Sequence, residues 1–477
     1  MNQKEPSIKK NIILSTCYQV LSILLPLITA PYISRVIGSE GIGVYSFTLS
    51  IQAYFTMFAA LGTGIYGVRV ISIHRNDIKE RSRLFWEIEL LSVITSLIMI
   101  CGWIVVVCIQ KQLIYLILTL NLVGTMADIS WFYNGLEEFK ITVLRNIIVK
   151  IVGALLIFLL VKSADDLNLY VGIISGTSLI GTLSMWISLP KYIVRVKISF
   201  KRLAGHFKET MVYFIPTIAT SIYTVLDKTL IGVITQNAYE NGYYEQATKI
   251  INMVKAVTFT SLNSVLRSRI SYLFSEKRFD EIRGRIITSI DFILMLGIGC
   301  SFGLIGISRR FVPWFFGSGY EQVVELLIMM SPLVTIIGVS NCLGSHYYTP
   351  AGLRSKSAKY IVLGAVVNLV LNILLIPNFS SKGAVVSSII AELLITVLYI
   401  RNCNGFMTWQ VLVSYGWKKV VAGTVMAVTV FYVGNIVKSE LLSIALQVVT
   451  GIVVYGSICL LLKDRFTIKL MNRIGGK

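Results

Sequence analysis

Ionised side chains standing inside apolar runs are the residues best suited to a site in this chain, because each is costly in hydrocarbon. Leu226-Asp227-Lys228-Thr229 interrupts one such run, with Tyr223 one helical turn before Asp227 and Thr224 one turn before Lys228. In the next run Thr248, Asn252 and Lys255 stand at i, i+4 and i+7 as one polar stripe, and Lys249 follows Glu245 by a turn. A stripe of this kind facing a wet interior makes a cationic cavity for an anionic group. The alternative is that Asp227 with Lys228, and Glu245 with Lys249, only neutralise each other. Lys255 has no carboxylate partner in its own helix, which favours the cavity.

Arg35 ends the first apolar run, where it suits either a phosphate or gate contact or an interfacial anchor. Gln52 shares a helix face with Tyr45, Thr48 and Phe55, a face suited to lining the same cavity. Asp128, Asp291, Glu325 and Glu392 lie at or within other runs, each a candidate coupling-ion carboxylate or half of a structural pair. Arg309 and Arg310 form a basic spot that equally suits a helix-end anchor.

The elements that carry these residues follow from composition. Of 477 residues 55% are hydrophobic and 14% charged, and the mean hydropathy is +0.74. A soluble domain carries about one quarter charged residues. So apolar a chain needs a bilayer as its solvent. The expected fold is an all-α integral membrane protein of about fourteen transmembrane helices, at 11–34, 41–62, 86–109, 112–133, 145–162, 168–189, 210–233, 244–265, 287–308, 322–344, 358–376, 382–400, 416–437 and 441–462. The eighth is the weakest, since Glu245, Lys249, Asn252 and Lys255 lie in it. The first run exceeds a signal-peptide apolar core and lacks a small-x-small cleavage site, so it reads as a helix.

With the N-terminus inside and the spans alternating, the inside segments with the first two turns they lead into hold 34 of the 44 Lys and Arg, and the outside loops hold 7. This asymmetry places both termini in the cytoplasm and supports the number of spans. The net charge of +20 therefore reads as cytoplasmic loops and not as a nucleic-acid surface. The longest polar stretches, 190–209 and 266–286, are both cytoplasmic and leave no external loop for a catalytic site.

Motif absences narrow the function further. The seven cysteines are scattered without a CxxC and the three histidines are far apart, so no metal site is expected. No GxxxxGK[ST], HExxH or GxSxG occurs, which leaves no nucleotide motor and no hydrolase. The expectation is a transporter without a cofactor, driven by proton or sodium coupling, a substrate gradient or the membrane potential. Glu40-Gly41-Ile42-Gly43-Val44-Tyr45 and Glu240-Asn241-Gly242-Tyr243-Tyr244 stand about 200 residues apart, as do Arg69 and Arg269. Six helices per repeat gives halves of one orientation: a lobe at 1–205 (helices 1–6), a lobe at 206–402 (helices 7–12), and helices 13 and 14 with a cytoplasmic tail at 403–477. Pro26, Pro216 and Pro332 fall within spans and suit kinks.

Four strings carry a resemblance: Pro31-Tyr32-Ile33-Ser34-Arg35-Val36-Ile37-Gly38-Ser39-Glu40-Gly41, Ile129-Ser130-Trp131-Phe132-Tyr133-Asn134-Gly135-Leu136-Glu137-Glu138-Phe139, Tyr223-Thr224-Val225-Leu226-Asp227-Lys228 and Phe311-Val312-Pro313-Trp314-Phe315-Phe316-Gly317. From helix 1 to about helix 12 the chain resembles the Wzx-type polysaccharide flippases, of the superfamily that also holds MATE multidrug exporters and lipid II flippases. The resemblance implies two six-helix lobes in a MATE-like arrangement and a bacterial inner-membrane carrier. It also implies alternating-access flipping of undecaprenyl-pyrophosphate-linked capsule or O-antigen repeat units to the outer leaflet. Substrate contacts would come from Arg35, Gln52, Lys228, Lys249, Asn252 and Lys255, with Asp227, Glu245 and Asp128 in coupling or gating. Its partners would be the lipid-linked glycan, membrane lipids, a polymerase and other polysaccharide assembly proteins, with no nucleic acid. A MATE-like cation-coupled drug exporter and a lipid II-type flippase are the alternatives. Ser268-Arg269 stands where Pro-Arg is expected, and His346 where glutamine is frequent.

Overall fold

The structure, a computed structural model, describes residues 8–260 and 269–474. Among them there are helices and no strands. The helices of the first half are α1 (Ile8–Ala60), α2 (Thr63–Ile73), α3 (Ile78–Gln110), α4 (Leu113–Met126), α5 (Ser130–Gly135), α6 (Phe139–Leu160), α7 (Leu167–Ser188), α8 (Phe200–Thr235) and α9 (Ala238–Lys255). A π-helical turn, Ala256–Thr260, follows α9. Then come α10 (269–275), α11 (Phe279–Phe316), α12 (Glu321–Met330), α13 (Pro332–Leu343), α14 (Arg354–Arg401), α15 (Trp409–Ile436), α16 (Glu440–Leu461) and α17 (Arg465–Ile474).

Ten segments of the described residues are long and apolar enough to cross a membrane. Their sides carry large apolar residues in the open, with Ile187, Leu461 and Ile436 each at least 78% exposed. A surface of that kind has to be covered by lipid. The chain is therefore a multi-pass membrane protein. Two of the ten segments contain sharp backbone breaks. One breaks at Gly38 (φ 77°, ψ 170°), between the first two expected spans; glycine meets no Cβ penalty there. The other breaks at Ser380 (φ 49°), between the eleventh and twelfth. Glu240 answers the second break by accepting from the Ser381 backbone N–H (3.1 Å) and hydroxyl (2.5 Å). Helices α8 and α9, which carry the seventh and eighth expected spans, are not among the ten, and 261–265 of the eighth lies outside the described residues. Pro332 does not kink a helix interior. It takes the first position of α13, where no intrahelical N–H bond is lost, and divides the tenth expected span.

The chain divides into two compact units inside α8, Met1–Thr229 and Leu230–Lys477. The first has an aromatic core of Phe85, Trp131, Phe132, Tyr133 and Met185 from α3, α5 and α7. Phe85 stacks on Trp131 at 5.6 Å, and the Tyr133 hydroxyl donates to the Met185 carbonyl at 2.7 Å. Gly67 of α2 lies against that core so closely that a Cβ would stand 2.3 Å from Trp131. In the second unit Ile282, Ile286, Ile290 and Ile293 of α11 pack with Leu343, Tyr347, Tyr348 and Tyr399.

Candidate functional site

Within the first unit, α1, α4, α6 and α7 surround a cavity of about 740 Å³. Its polar wall holds Gln52 and Tyr54 from α1, Asn121 and Thr125 from α4, Asp128, Arg145 from α6, and Ser178 and Thr182 from α7. Leu49, Met57, Phe214 and Val225 supply apolar surface.

The wall is tied together by hydrogen bonds. Gln52 is 1% exposed; its amide donates to the Leu118 carbonyl and accepts from Asn121 Nδ2 at 3.1 Å. The Arg145 guanidinium donates to the Thr182 hydroxyl at 3.2 Å and to Asn146 Oδ1. Its Nε is buried and, among the described residues, has no hydrogen-bond partner. Asp128 lies in electrostatic reach of Arg145 and accepts the Ser130 backbone N–H at 2.9 Å, so it also fixes the start of α5. The cavity thus offers one cation held by a hydroxyl and an amide, one carboxylate, and several neutral hydrogen-bonding groups. Such a lining suits a phosphate with attached sugar hydroxyls.

Of the expected site residues, Gln52 and Asp128 line this cavity. Tyr45, Thr48 and Phe55, expected on the same face as Gln52, go elsewhere: Tyr45 packs on Tyr170 at 5.6 Å, Phe55 on Trp103 at 5.3 Å, and buried Thr48 bonds the Val44 carbonyl. Asp227 is buried, its charge reaches Tyr54, and Lys228 is half-buried beside it. The following residue, Thr229, bonds Ser50 at 3.0 Å and thereby ties α8 to α1. Arg35 is exposed, and like Asp227, Lys228, Glu245 and Lys249 it engages a polar or electrostatic partner. Glu245, Lys249, Asn252 and Lys255 belong to the second unit, where Asn252 is exposed and the others are half-buried. Lys255 is within electrostatic reach of Glu392 on α14. The side chains of Tyr223 and Thr224, and Ser268, lie outside the described residues.

Several other intramembrane charges find partners. Lys382 pairs with Glu325, and the buried Lys419 bridges Asp291 and Asp464 at 2.7 Å each. Arg309 lies over the Phe431 ring at 5.2 Å. His346 is fully buried in a π-helical turn, with Nδ1 3.4 Å from Cys342 Sγ, so it is core and not a sugar contact in this conformation.

Three charged groups escaped the sequence reading. Arg145, the first residue of the fifth run, reads as a loop charge. Glu87 is fully buried and takes His206 Nε2 at 2.9 Å and Arg202 at 3.3 Å, while His206 Nδ1 meets the Tyr66 hydroxyl at 2.7 Å. Glu89 is 2% exposed, lies in electrostatic reach of Asp128, and has both oxygens without a hydrogen-bond partner among the described residues. The signal was present, since Glu87 and Glu89 open the third apolar run.

Residues 8–273, more than half of the chain, match the family described as polysaccharide biosynthesis protein. The chain belongs to that family. Across 414 residues it is 23% identical to a protein assigned as an O-antigen transporter in Escherichia coli (strain K12), covering 84% of this chain and 99% of that protein. It is 25% identical over 267 residues to a protein assigned as a low-salt glycan biosynthesis flippase, Agl15, of Haloferax volcanii, covering 56% of each. Among solved structures it resembles the lipid II flippase MurJ in an inward closed conformation, with a TM-score of 0.72 at 15% identity over 96% of this chain and 99% of that one. A MATE multidrug resistance transporter of the MOP superfamily, inward-facing, gives 0.58 at 12% identity over 86% and 98%. These likenesses establish a MurJ- and MATE-like fold.

Proposed function

We propose that this protein flips polyprenyl-pyrophosphate-linked oligosaccharide repeat units from the cytoplasmic to the outer leaflet of a bacterial inner membrane, for capsule or O-antigen assembly. The observation that carries this reading is the cavity that sets Arg145 among Gln52, Asn121, Ser178 and Thr182, in a chain that matches an O-antigen transporter along nearly its whole length. A guanidinium suits a pyrophosphate, and neutral amides and hydroxyls suit sugar.

The chain crosses the membrane fourteen times in this reading: the ten apolar segments, two of them broken into pairs, with α8 and α9 completing the count. Both termini are cytoplasmic, as the basic-residue asymmetry supports. Alternating access carries the load outward while the polyprenyl tail stays in lipid. Lys228, Lys249, Asn252, Lys255 and Arg35 are further candidate contacts for the anionic part of the substrate. With the inside negative, outward movement of a pyrophosphate is favoured by about 2.3 kcal/mol per charge per 100 mV. Coupled inward flow of protons or sodium adds to that, with Asp227, Asp128, Glu245 and the buried Glu89 as carriers. The glycan lipid passes next to a polymerase and other assembly proteins.

Purified protein should bind the pyrophosphate-linked glycan lipid in native mass spectrometry, and Arg145→Gln should bind it much more weakly while remaining folded. Equal binding by both would remove Arg145 from the site. The likeness to MurJ favours lipid II as a second substrate class; competition between the two lipids in the same experiment separates the readings.

A further inference from the structure

The C-terminal helix poses a question that flipping does not answer. α16 is one of the membrane-crossing segments, and its last residue, Leu461, is 79% exposed. α17 begins four residues later, so it starts at the membrane boundary. Its sequence places Arg465, Lys469 and Arg473 every four residues on one side, and Phe466, Leu470 and Ile474 beside them. Ile468, Leu470 and Met471 are 39%, 47% and 53% exposed.

The helix is firmly seated. Phe466 packs on Phe292 of α11 at 5.7 Å. Asp464 accepts from the Thr467 backbone N–H and hydroxyl, each at 3.2 Å. Lys419, wholly buried, joins Asp464 to Asp291. Next to this bridge lies a cleft of about 280 Å³ among α17, α11 and α15. Arg465, Lys469 and Tyr415 line it on the polar side, and Ile287, Phe466 and Leu470 on the apolar side. Arg465 donates to the Tyr415 hydroxyl at 2.9 Å and lies over its ring, which holds the guanidinium at the rim. Asp291 also reaches the cleft, but Lys419 neutralises it. Among the described residues Lys469 pairs with no carboxylate.

We propose that this cleft binds the phosphate of an anionic phospholipid of the surrounding bilayer, with α17 lying in the interface. The two cations face the headgroup phosphate and the apolar side takes the glycerol and first methylenes. An amphipathic helix with a basic face and exposed apolar residues binds anionic interfaces in this way. The partner is a lipid and not a soluble anion because the cleft is half apolar and its helix opens at the membrane boundary.

The test uses the full-length protein in detergent, titrated with phosphatidylglycerol, phosphatidylcholine or inorganic phosphate. Thermal unfolding and native mass spectrometry are the readouts. Phosphatidylglycerol should raise the unfolding temperature and remain bound, while the other two should not. Lys469→Gln should lower the phosphatidylglycerol affinity roughly five-fold, for one charge near an anionic headgroup. Without lipid, its unfolding temperature should match wild type. Lys469→Arg should keep the effect. Equal stabilisation by phosphatidylcholine or by inorganic phosphate would overturn the proposal, and so would an unchanged phosphatidylglycerol response in Lys469→Gln.

Discussion

Substituting Lys419→Met removes the cation that bridges Asp291 and Asp464 in the second unit. Its ammonium is 0% exposed, 2.7 Å from each carboxylate, and donates as well to the Tyr415 carbonyl at 2.8 Å. The two carboxylates are themselves 7% and 2% exposed, so water replaces little of what is lost. Breaking a buried pair from one side costs about 3–5 kcal/mol, mainly from leaving uncompensated charge behind. Here two like charges remain, which places the expected loss at the upper end of that range. Methionine keeps most of the volume, so cavity formation adds little. Unfolding by graded denaturing detergent, followed by circular dichroism, measures the loss. The triple variant Lys419→Met, Asp291→Asn, Asp464→Asn should recover most of it, because the stranded charges are gone. A single variant within about 1 kcal/mol of wild type, or a triple variant no better than the single, would refute the bridge as a stability element.

Arg145→Gln should weaken lipid-linked glycan binding about 10- to 100-fold, the range for a hydrogen-bonded charge, in a titration of transport rate against substrate. Gly67→Ala should destabilise the first unit by about 1–3 kcal/mol, since the new Cβ overlaps Trp131; Gly64→Ala, with nothing within 4 Å, is the control in the same thermal unfolding series. Asp77 caps α3 by accepting from the Glu80 and Lys79 backbone N–H groups, which hold its carboxyl below the ordinary range. A depressed carboxyl stabilises above its unfolded-state value and loses that as pH falls through the folded one. The stability gap between wild type and Asp77→Ala should therefore be full at neutral pH and close on acidification.

The membrane class, the helical fold and the family were legible because apolar runs and basic loops are local signals. Even the two breaks could be placed, since the polar interruptions around Gly38 and Ser380 fall between apolar stretches. The cavity was less legible. Gln52 and Asp128, singled out by helical spacing and intramembrane charge, do line it. Arg145 was not, because at the edge of a run it looks like any cytoplasmic arginine until α4 and α7 are packed beside it. Spacing also grouped Tyr45, Thr48 and Phe55 with Gln52. A helix face is wide, and neighbours such as Tyr170 and Trp103, remote in sequence, decide which part is core. The string Trp131-Phe132-Tyr133 marks the family, yet its buried rings hold α5 against α3 and α7 and are not part of the wall around Gln52 and Arg145.

Transbilayer movement of a pyrophosphate-linked oligosaccharide lipid in proteoliposomes of the purified protein is the most direct test of the central claim. The account predicts rapid movement of that lipid, slowed by Arg145→Gln, and none of a lipophilic drug cation. Drug-cation transport with no movement of a verified glycan lipid would contradict it and favour an exporter on the same fold.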